Sequence, residues 1–192
     1  MRGSNDEAGI PRPARRTSTA ASRRPSARRG DARIPLLLQV LDEAFIAKGW
    51  QGATLSGAVR GLTAKQALWR PGGRRSRHNI WELVLHTAYW KHVVRERVEG
   101  GARTPFPRAP RNFPSLPPHP NAAAWRADVA LLKREHEHLK RTVSRLGPAG
   151  LDAPVKRSPW VVAEQIFGIA AHDLYHTGQI QLLKALQREQ RT

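Results

Sequence analysis

Seven prolines crowd the stretch between Gly100 and Asn121, at positions 105, 107, 110, 114, 117, 118 and 120. No regular helix survives that density, because each proline lacks an amide donor and clashes with the turn before it. The stretch reads as an extended crossover, long enough to run the length of a bundle. It leaves apolar, helix-patterned sequence on both sides.

The first helix is expected from about Ile34 to Lys48. Pro35 suits its first turn, Leu37, Val40, Leu41, Ala44 and Phe45 form its apolar stripe, and Gly49 stops it. Short helical turns are expected over Leu55 to Val59 and Ala64 to Leu68, capping the core before Pro71, Gly72 and Gly73 break the chain. The second long helix begins near Asn79, with Glu82 completing a capping-box pair, and ends near Gly100. The third runs from roughly Asn121 to Leu146, its seam made by Trp125, Val129, Leu132, His136, Leu139, Val143 and Leu146. The fourth starts at Ser158 and Pro159 and continues to about Arg188. No useful β-type alternation and no fixed repeat interrupts this pattern. The fold class is therefore all-α, a four-helix bundle with long crossover connections.

Composition sets limits on chemistry. With 192 residues and 40% hydrophobic content, the chain can bury one domain-sized core. It has no cysteine, which excludes disulfides, thiolate metal sites and a cysteine nucleophile. A formal charge of +18 raises nucleic acid as a partner. Residues 1–33 hold nine arginines against three acidic residues, a net +6, and almost no large apolar side chains. They read as a disordered basic tail, with the bundle domain filling 34–192. A nucleic-acid-binding arm is the less favoured reading of that tail. No stretch has the roughly 20 apolar residues of a spanning helix, and no secretory h-region opens the chain. No membrane association is expected, and the cytoplasm is the default compartment.

Within "GIAAHDLYHTGQIQLLKAL", His172 and His176 stand four apart. A helix turns about 100° per residue, so both fall on one face, shared with Ile166, Ile169, Ile180 and Leu183. On the second long helix His86 shares an inward stripe with Leu83, Trp90 and Val93. Three inward imidazoles from two helices suit an open divalent-metal site, binding Zn²⁺, Ni²⁺ or Fe²⁺ with positions left for water or substrate. Periodicity alone leaves a second reading open, in which they are hydrogen-bonded core histidines. "HDLYH" resembles the metalloprotease HExxH pattern, but Asp173 replaces the glutamate and only sixteen residues follow His176. Asp173 could support a ligating histidine from behind, but a solvent-facing position is favoured. His136 lies on the third helix's seam, where a core histidine bonded to a neighbour is favoured over a fourth ligand. His78 and His92 are expected at the surface, like His119 and His138.

Three separated stretches, "GWQGATLSGAVRGLTAKQALWRP", "HNIWELVLHTAYWKHVV" and "HDLYHTGQIQLLK", resemble the DinB-like (YfiT-like) metal-binding bundle superfamily over roughly residues 34–190. The resemblance implies a metal held by one histidine in the second long helix and an H-x-x-x-H pair in the fourth. Those positions are His86, His172 and His176. It further implies a metal-dependent transferase using an external low-molecular-weight thiol such as bacillithiol or mycothiol, on a small-molecule substrate. A metal-dependent hydrolase, or a non-enzymatic metal-binding or nucleic-acid-associated bundle, stands as the alternative. Trp90 and Tyr175 are the candidates for a pocket wall, and Gln179 for a hydrogen bond to a metal-bound water. Pairing into a homodimer through exposed helix faces is left open.

Overall fold

The computed structural model describes residues 31–46, 49–73, 77–101, 104–156 and 158–190. The expected tail falls almost wholly outside the described residues. Asp31 to Arg33, grouped with it above, are described, and Arg33 is the first residue of a helix. Among the described residues seven α-helices follow in order: α1 (Arg33–Phe45), α2 (Leu55–Val59), α3 (Ala64–Leu68), α4 (Ile80–Glu99), α5 (Ala122–Ser144), α6 (Pro148–Leu151) and α7 (Val162–Glu189). No β-strand occurs among the described residues. The chain is an all-α bundle, as its pattern of periodic runs and breakers requires.

The long helices begin where side chains can satisfy their first amides. Asn79 Oδ1 accepts from the Glu82 amide at 2.9 Å, and Glu82 Oε2 accepts in return from the Asn79 amide at 3.0 Å, closing the expected capping box. Gly100 ends α4 at φ 66°, a conformation that costs a residue without Cβ little. Asn121 caps α5 through the Ala124 amide at 3.0 Å. The start of α7 differs from expectation. Ser158 Oγ accepts from the Trp160 amide at 3.2 Å, forming a turn, and the helix opens only at Val162. Glu164 then turns back to accept from the Val161 amide at 2.9 Å.

The four long helices form a ring in which α4 lies between α5 and α7, and α1 closes the circle between the same two. One apolar cluster gathers Trp81, Leu85, Trp125, Leu132, Ile180 and the small helices α2 and α3, which cap that end as expected. Lys184 Nζ donates to the Ala58 carbonyl at 2.9 Å, and Gln187 Nε2 to that of Gln66 at 2.6 Å, fastening both caps to α7. The second cluster joins Leu41, Val94, Leu139, Leu151 and Ile166. At the start of α1, Arg33 bonds Asp152 just beyond α6 at 2.6 Å. Buried polar residues separate the two apolar clusters along the bundle: Lys91 and His86 of α4, His136 of α5, Asp173 and His176 of α7.

Candidate metal centre

His86 projects from α4, and His172 and His176 project from the middle turns of α7. The i, i+4 spacing places the latter two one above the other, and the α4–α7 contact brings His86 to them. His172 Nε2 lies 3.1 Å from His86 Nε2 and 3.1 Å from His176 Nε2. All three donor atoms lie within 4.8 Å of one another. His86 and His176 are buried, and His172 is half-buried at the edge of a cavity.

The protonation pattern follows from the partners on the far side of each ring. His86 Nδ1 lies 2.7 Å from the Asn112 carbonyl, which only accepts, so Nδ1 carries the proton and Nε2 a lone pair. His176 Nδ1 donates likewise to Gln179 Oε1 at 2.7 Å, leaving a second lone pair on its Nε2. His172 Nε2 faces both and can donate to only one of them. At least one pair of lone pairs is thus opposed across 3.1 Å. A fourth proton, which would make one ring cationic, is disfavoured: burial, then the two neighbouring imidazoles and Lys91, lower His172 to about 3. Burial also lowers His86 to about 4 and shifts His176 in the same direction.

An electron-pair acceptor removes this conflict. Zn–N bonds of about 2.0–2.1 Å place neighbouring nitrogen ligands roughly 3.0–3.4 Å apart, the spacing of His172 Nε2 from each of the other two. Neutral imidazoles are also the form that binds such ions. The residues present therefore fit a divalent cation.

The proline-rich crossover has a part in this site that periodicity did not reveal. Asn112 adopts φ 70°, a left-handed conformation that asparagine tolerates better than most residues. Its carbonyl fixes His86, while its Oδ1 accepts from Trp90 Nε1 at 2.8 Å. Phe113 stacks on the His86 ring, centroids 4.0 Å apart. The only available signal was an asparagine amid prolines, which marks a turn without naming its target.

Asp173, His92 and Gln179 depart from expectation; His136, His78, His119 and His138 do not. Asp173 does not face solvent. It is fully buried and accepts a hydrogen bond from Lys91, because its position, four after Ile169 and three before His176, lies on the inward face of α7, while Leu174 and Tyr175 beside it face out. His92 is buried as well: Nε2 sits 2.9 Å from the Thr104 carbonyl, and Glu135 on α5 raises its pKa. His136 is a core residue, stacked on Phe45 with centroids 3.9 Å apart, and is not brought to the three histidines. Trp90 borders the cavity beside His172, whereas Tyr175 is largely exposed with its edge against His176. Gln179 bonds the His176 ring itself. His78, His119 and His138 are exposed.

A family model described as the DinB superfamily matches residues 49–180. Comparison with curated proteins gave no match. Comparison with solved structures gave none either.

Proposed function

The chain belongs to the DinB superfamily, and from that premise we propose that it is a divalent-metal-dependent transferase acting with a thiol supplied from outside. His86, His172 and His176 are the ligands in this reading, and Zn²⁺, Ni²⁺ or Fe²⁺ the ion. The observation that carries it is the opposition of imidazole lone pairs at 3.1 Å, with the far sides of His86 and His176 already engaged.

When bound there, such an ion supplies Lewis acidity, lowering the pKa of an adjacent thiol or water. The chain's own residues do the rest. The Asn112 carbonyl and Gln179 hold two imidazoles in the tautomer that points Nε2 inward. Phe113 and Trp90 flank His86 with aromatic surface and limit water on that side. The sequence has no cysteine, so a reacting thiol belongs to a separate small molecule, of the bacillithiol or mycothiol kind. Among the described residues no helix is long and apolar enough to cross a membrane.

The test is elemental analysis of untagged protein beside a His172→Ala/His176→Ala variant. About one equivalent of metal in the parent and none in the variant is the expected result. The loaded protein is then given a low-molecular-weight thiol with electrophilic acceptors, and separately ester and amide substrates. Metal-dependent thiol consumption supports transfer, and thiol-independent hydrolysis replaces it with a hydrolase. A folded parent that takes up neither Zn²⁺ nor Ni²⁺ returns the histidines to the core and ends the enzyme reading.

A further inference from the structure

A cavity of about 700 Å³ opens from His172 between α1, α4 and the first half of α7. Its volume lies in the range of small-molecule sites. Leu37, Val94 and Ile169 form its floor, and Trp90 stands beside His172. At the mouth, Phe167 and Trp160 are 60% and 54% exposed. Large aromatic groups left this open beside an apolar hollow lose contact surface that a ligand would restore.

The polar groups of the lining sit at two levels. His172 marks the inner one. At the other, Arg97 of α4 donates through Nη1 to Gln165 Oε1 of α7 at 2.8 Å. Gln165 precedes His172 by seven residues, so the levels lie about 10 Å apart along the helix. The remaining charged groups of the lining are engaged. Arg33 is held by Asp31 and Asp152, and Glu164 by the Val161 amide. Arg97 has only the neutral amide of Gln165 and the face of Trp90, 5.7 Å from its guanidinium, and no carboxylate partner among the described residues.

A half-buried guanidinium with donors to spare, at the far end of an apolar hollow, selects for an anion. We infer that the cavity binds a small amphipathic anion, with an apolar body about 10 Å long. Its carboxylate-type group is received by Arg97 and Gln165, and its opposite end is presented at His172. This rests on the proposed metal reading only for what happens at the His172 end. The binding seat itself is built from residues that hold no metal.

Octanoate and 1-octanol are matched probes, alike in chain and different in charge. Both are titrated calorimetrically into the full chain after chelator treatment, so that a carboxylate cannot bind through a metal. Octanoate is expected to bind more tightly, and Arg97→Gln to weaken it about tenfold or more while leaving octanol nearly unchanged. Ala163→Trp, which fills the hollow, is expected to abolish both. Unchanged octanol binding by Arg97→Gln reports that the cavity is intact.

Failure of both probes to bind overturns the inference. So does an equal loss of both with Arg97→Gln, or octanoate binding that survives Ala163→Trp, which marks adventitious contact with basic surface residues. Octanoate binding without metal uptake sinks the metal reading alone. One equivalent of metal without octanoate binding sinks this inference alone.

Discussion

Two polar clusters interrupt the apolar interior at nearly the same level, and they differ in how completely they satisfy themselves. Behind the three histidines, Lys91 donates to Asp173 and lies 3.3 Å from His136 Nδ1, with the Phe45 ring 4.8 Å away. His136 Nε2 continues to Asp42, 3.4 Å off, which is paired with Lys140 at 2.7 Å. Charge meets countercharge, and only Asp173 Oδ1 is left without a partner. The histidine cluster instead turns acceptor toward acceptor. Burial alone therefore does not mark a functional site in this bundle. The difference lies in whether the buried atoms complete one another or call for something else.

Removing one member of the closed cluster is the harshest way to break the comparison. Lys91→Met leaves the Asp173 carboxylate buried without its cation and is expected to cost about 3–5 kcal/mol. Lys91→Met/Asp173→Leu should recover most of that loss, since apolar pairs of similar volume often replace buried ion pairs without penalty. Urea unfolding of both variants measures this, and unchanged metal stoichiometry in the double variant would separate the two clusters. If Lys91→Met alone proves nearly neutral, the buried pair is not holding α4 against α7.

A milder change acts on the open cluster. Gln179→Leu removes the acceptor that orients His176 and should weaken metal affinity by about tenfold with little effect on stability. Competition against a chromophoric chelator reads the affinity. Equal affinity in parent and variant would show that α7 alone orients the ring.

The smallest expected effect is on pH dependence. His136 is held well below its ordinary pKa, first by burial and then by Lys91 and Lys140, with the Asp42 carboxylate facing it. The unfolded chain takes up this proton near the ordinary histidine value of 6.5 while the folded chain does not. Stability from this group is complete above that pH and declines as pH falls below it. Asp173, raised to about 6 by burial against the pull of Lys91, works in the opposite direction. Its contribution is complete below 3.8 and declines as pH rises through about 6. Tm is expected to fall from pH 7 to pH 6, with the buried His86, His172 and His176 acting in the same sense as His136, and His136→Phe should remove about one to three degrees of that fall. A slope unchanged in His136→Phe would assign the effect to other groups.

Much of this architecture was legible because helix formation is local. The short helices α2 and α3 have the bounds that their apolar spacing and flanking breakers suggested. The Asn79–Glu82 box and the Asn121 cap rest on residues a few positions apart. The start of α7 was read too early because Ser158 and Pro159 form an acceptable cap locally, while Ser158 is committed to a turn. Asp173 was misread from its charge: its position falls on the face shared with Ile166, Ile169, His176 and Ile180, and the countercharge that holds a carboxylate there comes from Lys91 on another helix.

By itself the sequence determined that the chain is helical, that residues 105–120 are not, and that His172 and His176 share a face. Each follows from backbone sterics and a 3.6-residue repeat, which need no distant partner. Only the tertiary structure decided that His86 meets that pair, that Asn112 of the crossover fixes its tautomer, and that Lys91 lies opposite Asp173. Those outcomes depend on how helices rotate against one another and where a proline-stiffened segment returns. Both are set by contacts between residues far apart in the chain, 86 positions for His86 and His172 and 126 for Ala58 and Lys184.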